Sequence, residues 1–179
     1  MTQDIYERIS KHFFTDVHRV FLAVSWYTGE RPEAILKSKV SQFYVNPSRR
    51  IVRSEIIYSA TTRKDKKTRE VPCHIALEKI LRDYECLEDG YLFPSRVKPG
   101  KPLSRQAIDR AFRRALKKAG LENQGYSLYS ARRGFITEKR DGSLWLLDMR
   151  RKSVAVSTAF NIFFILVVLQ SYFKGASRF

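Results

Sequence analysis

The sequence predicts a mainly helical α+β domain with one small antiparallel β-sheet. Four stretches with helical apolar spacing, one β-rich interval ending in a hairpin-like return, and a composition able to build a core predict it. The chain has 179 residues, 44% of them hydrophobic and 13% aromatic, a length for one domain and a composition that excludes global disorder. Eight Gly and six Pro exclude a collagen-like or low-complexity chain.

Residues 11–28 carry Phe13, Val17, Val20, Phe21 and Val24 at helical spacing, with Gly29 just past the end. A short helix starts near Arg31-Pro32, where Pro suits an early helical position. Between 41 and 73, Phe43-Tyr44-Val45, Ile51-Val52 and Ile56-Ile57-Tyr58 form β-rich runs broken by Asn46-Pro47-Ser48. Thr61 to Arg69 is polar and basic, and Val71-Pro72 reads as the returning strand of a hairpin. A helix is expected at 75–84, then a long loop at 85–103 with one extended piece at Tyr91-Leu92-Phe93. Ser104 caps a helix that runs to Ala119, with Gly120 beyond it and Ile108, Phe112 and Leu116 as its apolar stripe. Tyr129 to Lys139 forms a further helix.

Residues 1–152 read as the domain and 153–179 as an apolar C-terminal segment. Ser153 to Phe173 is 21 residues without a charge, long enough for a membrane span. Asn161, Gln170 and several Ser/Thr count against a span and for a docking helix or a degenerate end.

Thirty-four Lys+Arg against 18 Asp+Glu leave a net charge of +16, which calls for a polyanionic partner such as nucleic acid. The excess is local: residues 48–70 hold 8 basic against 3 acidic residues, and 100–152 hold 14 against 5. Arg110, Arg113, Arg114 and Lys117 share one face of the 104–119 helix, and Lys66, Lys67, Arg69 and Arg133 are further candidates for phosphate contact. Cys73 and Cys86 cannot build a disulfide framework or a zinc site, and the N-terminus carries no secretory signal, so a cytoplasmic, nucleoid-associated protein is expected.

Three basic residues stand in distinctive contexts. Arg31 lies in Thr28-Gly29-Glu30-Arg31-Pro32-Glu33, Lys64 in the run Arg63 to Pro72, and Arg132 in Tyr129-Ser130-Ala131-Arg132-Arg133-Gly134-Phe135. Each also has a plain reading. Arg31 pairs with Glu30 or Glu33 on a solvated helix start, 63–69 is a non-specific phosphate patch, and Arg132-Arg133 contacts the nucleic-acid backbone. His12, His18 and His74 are isolated and read as structural or surface residues.

In order and context these segments resemble the catalytic domain of the tyrosine recombinases, the phage-integrase family. Thr28, Gly29, Arg31 and Glu33 match its TGxRxxE-type box, with the acidic position shifted by one. Lys64, five residues before the Arg that precedes Val71-Pro72, matches its hairpin lysine. Tyr129-Ser130-Ala131-Arg132, followed by Phe135 and Thr137, matches its HxLR-type box. The resemblance covers about residues 10–140.

It implies a mainly helical catalytic domain that breaks and rejoins DNA through a 3′-phosphotyrosine link, for integration or excision of a mobile element. Double-stranded DNA and further copies of the chain would be partners, with no cofactor, metal or small-molecule substrate. Only about ten residues precede the first expected helix, so the family's separate DNA-clamping domain is expected to be missing. The chemistry fits the residue types. Arginine forks such as Arg31 and Arg132 hold phosphate oxygens as charge builds, and Lys64 can protonate the departing oxygen.

The match weakens toward the C-terminus. Tyr129 stands where the family has His, and Arg151 stands at a His/Trp position. The nucleophile's place falls on Phe160, which has no hydroxyl, and Tyr172 is the only later tyrosine. Either Tyr172 is a displaced nucleophile, or the chain is a DNA-binding remnant that does not cleave. A basic membrane-associated protein anchored by 153–173 is the third reading.

Overall fold

A computed structural model describes residues 1–61 and 66–140. Its helices are α1 (Gln3–Ser10), α2 (Asp16–Thr28), α3 (Pro32–Leu36), α4 (Ile75–Asp83), α5 (Arg105–Lys118) and α6 (Tyr129–Arg140). Between α3 and α4 lie β1 (Tyr44–Asn46), β2 (Ile51–Val52), β3 (Glu55–Tyr58) and β4 (Arg69–Pro72). The mainly helical α+β expectation holds, with one difference: two separate two-stranded antiparallel sheets replace the single sheet.

The centre of the molecule is α2. Every residue from Val20 to Thr28 is buried, so beyond its first turn this helix has no solvent face and is enclosed by its neighbours. It packs against α1, α3, α4, α5 and α6. Gly29 ends it in the left-handed conformation at φ 61°, and its amide closes the last turn on the Ser25 carbonyl at 3.1 Å.

The region expected to be helical from residue 11 begins at Asp16, after a turn that separates α2 from α1. Phe13, counted in the stripe, instead packs on the His18 ring from outside the helix, 6.3 Å between centroids. Helix α1 escapes a periodicity reading because it buries only Tyr6 and Ile9, too few positions to show a period. Tyr6 stacks on Trp26 at 5.2 Å, and Gln3 accepts the indole N–H at 3.0 Å, which docks α1 on α2.

Strands β3 and β4 pair with Glu55 opposite Pro72, Ile56 opposite Val71, Ile57 opposite Glu70 and Tyr58 opposite Arg69. Ile56, Tyr58 and Val71 are buried on one face, so the cross-strand register turns Arg69 inward as well. Strands β1 and β2 pair at Tyr44–Val52 and Asn46–Ile51, and only two residues separate β2 from β3. The 85–103 loop contributes single bridges, Lys39 to Tyr91 and Pro94 to Pro102, and buries Leu92 and Phe93. Ser104 caps α5 by accepting the Ala107 amide at 3.2 Å, and Ile108, Phe112 and Leu116 face the core as expected. No helix among the described residues is long and apolar enough to cross a membrane, and segment 153–173 lies outside them.

Two glycines set the approach of α6 to α2. A Cβ on Gly134 would overlap the Trp26 ring and the Met1 carbonyl, and one on Gly29 would fall inside the Phe135 ring. Gly134→Ala should therefore lower thermal stability by about 1–3 kcal/mol through overpacking. Gly29→Ala should cost at least as much, because the left-handed backbone adds strain to the overlap. Thermal denaturation of both variants checks the order.

Burial holds His18 below its ordinary 6.5, and Arg96 and Arg114 push it in the same direction. The folded chain therefore resists protonation more than the unfolded chain does. This contribution to stability is complete above pH 6.5 and declines as pH falls below it. His18→Gln should remove that part of the slope, read as denaturant midpoints on either side of that pH.

Candidate active site

The junction of α2 and α3 collects the polar groups that the surrounding core cannot host. Where α2 ends, its last carbonyls lack helical partners and the macrodipole leaves partial negative charge. Glu30 adds a full carboxylate at the same point and is completely enclosed. Cationic groups from two distant segments meet this charge.

Arg69, turned inward by the β3–β4 register, donates Nη1 to Glu30 Oε2 at 3.2 Å and Nη2 to the Thr28 carbonyl at 3.2 Å. Arg132, on the first turn of α6, donates Nη1 to the Gly29 carbonyl and lies 4.0 Å from Glu30 Oε1. That same Oε1 accepts the Arg31 amide at 2.9 Å. Thr28 completes the network: its Oγ1 donates to the Val24 carbonyl at 2.7 Å, accepts the Glu30 amide at 3.3 Å, and lies 3.1 Å from the Tyr58 hydroxyl. Removing one member of such a buried ion pair costs about 3–5 kcal/mol, since the remaining charge is left uncompensated.

Arg31 is the residue that leads into α3. Its half-buried side chain makes no hydrogen bond or ion pair with the described residues, so the pairing with Glu30 or Glu33 weighed from sequence does not form. Glu33 is engaged elsewhere. It accepts the Tyr129 hydroxyl at 3.1 Å and pairs with Arg105, whose guanidinium sits 5.5 Å from the Tyr129 ring. The chain thus brings Arg31 to one junction with Tyr129 and Arg132, which lie about a hundred residues further along the sequence.

The other candidate residues divide by environment. Lys66 and Lys67 are exposed just before β4, with Lys66 at φ 51°. On α5, Arg110, Arg113, Arg114 and Lys117 are all exposed, but Arg113 is paired with Asp109 at 2.8 Å. Arg110 and Arg114 turn into a cleft of about 650 Å³ between α5, the start of α2 and the 94–104 loop, with Arg96 across from them. Arg133 is exposed and donates to Ser130 Oγ at 3.2 Å. Lys64, Arg151, Phe160 and Tyr172 lie outside the described residues.

Sequence reasoning missed the part played by Glu30 and read Arg69 only as a phosphate contact. A signal for Arg69 was present, because the alternation Arg69–Glu70–Val71 with Val71 facing the core puts Arg69 on the inner face. Glu30 had none, since a charged residue after a helix-ending glycine reads as solvated. Four of the described tyrosines are ill suited to act as a nucleophile. Burial pushes the hydroxyls of Tyr6, Tyr44 and Tyr58 well above their ordinary range and that of Tyr84 to about 12. The histidines are structural where they are enclosed: His74 caps α4 by accepting the Ala76 amide at 3.1 Å, and His18 packs on Phe13.

Comparison with known proteins bears on this arrangement. In solved structures, the chain is similar to an integrase from mycobacterium phage Brujita, with a TM-score of 0.55 and 18% identity over 73% of this chain and 40% of that one. It is also similar to XerH site-specific recombinase bound to its difH substrate in a pre-cleavage complex, with a TM-score of 0.55 and 19% identity over 82% of this chain and 45% of that one. The chain therefore spans less than half the length of either protein. No curated protein is similar enough to count as a relative. The model of the phage integrase family matches residues 1–138, most of the chain and every residue named at the junction, so the chain belongs to the phage integrase family.

Proposed function

We propose that this chain is the catalytic part of a site-specific DNA recombinase that breaks and rejoins DNA strands to integrate or excise a mobile element. The observation that carries this reading is the meeting of Arg31, Tyr129 and Arg132 at the end of α2, with the exposed Arg133 next to Arg132 on α6. Two arginines at one junction suit a phosphodiester, because each planar fork binds two oxygens and stays charged. The Tyr129 hydroxyl, whose one proton is given to Glu33 in the free chain, supplies a donor where the family has His once it turns from that carboxylate to the phosphate.

In this mechanism Arg31 and Arg132 hold the non-bridging oxygens while charge builds on the pentavalent phosphorus. A tyrosine oxygen attacks phosphorus and displaces the 5′-oxygen, to which Lys64 delivers a proton. The 3′-phosphotyrosine conserves the bond for the reverse step, so rejoining needs no nucleotide. Tyr172 is the nucleophile in this reading, and Arg151 adds a donor to the phosphate. Lys66, Lys67, Arg110, Arg113, Arg114, Lys117 and Arg133 contact DNA phosphates, and copies of the chain assemble on the duplex. The protein acts in the cytoplasm at the nucleoid.

A second reading is favoured by Phe160 at the nucleophile's expected place: a remnant that binds DNA and does not cleave it. Incubation with a nicked suicide duplex separates the two. An active recombinase accumulates a covalent protein–DNA adduct that Tyr172→Phe abolishes. An absent adduct, or equal yield from Tyr172→Phe, removes Tyr172 from the mechanism.

Arg132→Ala should slow adduct formation about 10²–10³-fold, the range for deleting one preorganised donor to a developing oxyanion. Equilibrium binding should fall far less, because most affinity comes from other phosphate contacts. Binding should weaken linearly in log–log plots against salt, with a slope of about −0.9 per phosphate neutralised. A shallow slope in filter or anisotropy titrations would contradict the DNA reading.

A further inference from the structure

The Glu30 carboxylate is completely enclosed and so has no reach of its own to a substrate. Its oxygens are divided between functional segments. Oε1 accepts the amide of Arg31 at 2.9 Å and faces Arg132 Nη1 at 4.0 Å, while Oε2 binds Arg69 Nη1 at 3.2 Å. Each guanidinium also holds a carbonyl of the same short segment, Arg132 that of Gly29 and Arg69 that of Thr28. Arg69 is held through two nitrogens, which sets the plane of its fork, while Arg132 is held through Nη1, with the carboxylate charge 4.0 Å away drawing that end toward Glu30.

The second guanidinium extends this control to the hairpin. Arg69 opens β4, and Lys64 lies five residues before it in sequence. Strand β4 and the arginine on α6 are therefore tied to one carboxylate. We propose that Glu30 is a positioning residue, which orients Arg132 and anchors the β3–β4 hairpin through Arg69. The proposal rests on reading Arg132 as a phosphate-binding arginine. A neutral group at position 30 would keep the backbone contact to Arg31 but remove the carboxylate charge that both partly buried guanidiniums face.

The test uses the full chain with Glu30→Gln and Glu30→Asp, each checked for native far-UV circular dichroism. Phenylglyoxal modification, mapped by peptide mass, reads how firmly each guanidinium is held. Arg69 and Arg132 should be modified several-fold faster in Glu30→Gln and at an intermediate rate in Glu30→Asp, with Arg31 unchanged. On a nicked duplex, Glu30→Gln should form adduct about 10²-fold more slowly, the scale of a misplaced catalytic group, with DNA affinity little changed. Glu30→Asp should recover part of that rate.

Unchanged labelling of Arg69 and Arg132 overturns the proposal, as does a cleavage loss that merely follows a loss of DNA affinity. If wild type forms no adduct, the recombinase reading fails by itself and the labelling still decides the role of Glu30. If Glu30→Gln does not fold, Glu30→Asp carries both measurements, because it keeps the charge and shortens its reach.

Discussion

A helix that ends inside a protein leaves carbonyl groups without partners and negative charge without solvent. In this chain α2 is buried along its last nine residues, so its C-terminus cannot be completed by water. Two guanidiniums, one from a β-hairpin and one from the last described helix, complete it instead. Glu30 makes the demand stronger by placing a carboxylate at the same point. Without those cations the junction would hold an uncompensated buried charge, and without that junction Arg31, Tyr129 and Arg132 would have no common frame.

The same constraint sorts the large positive charge. Arg69 is paired with the enclosed Glu30 and Arg105 with Glu33, so each ties separate elements together, while Arg113 pairs with Asp109 one turn away on its own helix. Arg110, Arg114, Lys66 and Arg133 are exposed and remain near solvent, where a polyanion would meet them. A net charge of +16 is thus two populations with different physical roles. One ties elements together through carboxylates, enclosed at Glu30 and partly exposed at Glu33, and the other raises the potential over the surface. Tyr129 stands between the two, half-buried on α6, with its hydroxyl given to Glu33 and its ring beside Arg105.

Much of the fold was legible in the sequence because its elements obey simple periods. The apolar stripe and Ser cap of α5, the Pro start of α3 and the alternation in β3 all point to the elements observed. What was not legible had a physical cause. Helix α1 is held by stacking of Tyr6 on Trp26 and has too little apolar surface to announce itself. The start of α2 was placed too early because Phe13 supplies an aromatic at helical spacing while packing from a turn. The division into two small sheets depends on where the chain bends after Val52, which no period records.

The candidate site shows the same boundary more sharply. The sequence by itself determined that the chain is basic, mainly helical and built around two arginine-bearing boxes, because composition, periodicity and residue order are local properties. Only the tertiary structure decided that Arg69 turns inward, that Arg31 leaves both neighbouring carboxylates to other partners, and that Glu30 is enclosed. Those outcomes depend on which segments meet at the end of α2. A charge next to a helix end looks solvated until the distant groups that bury it are known.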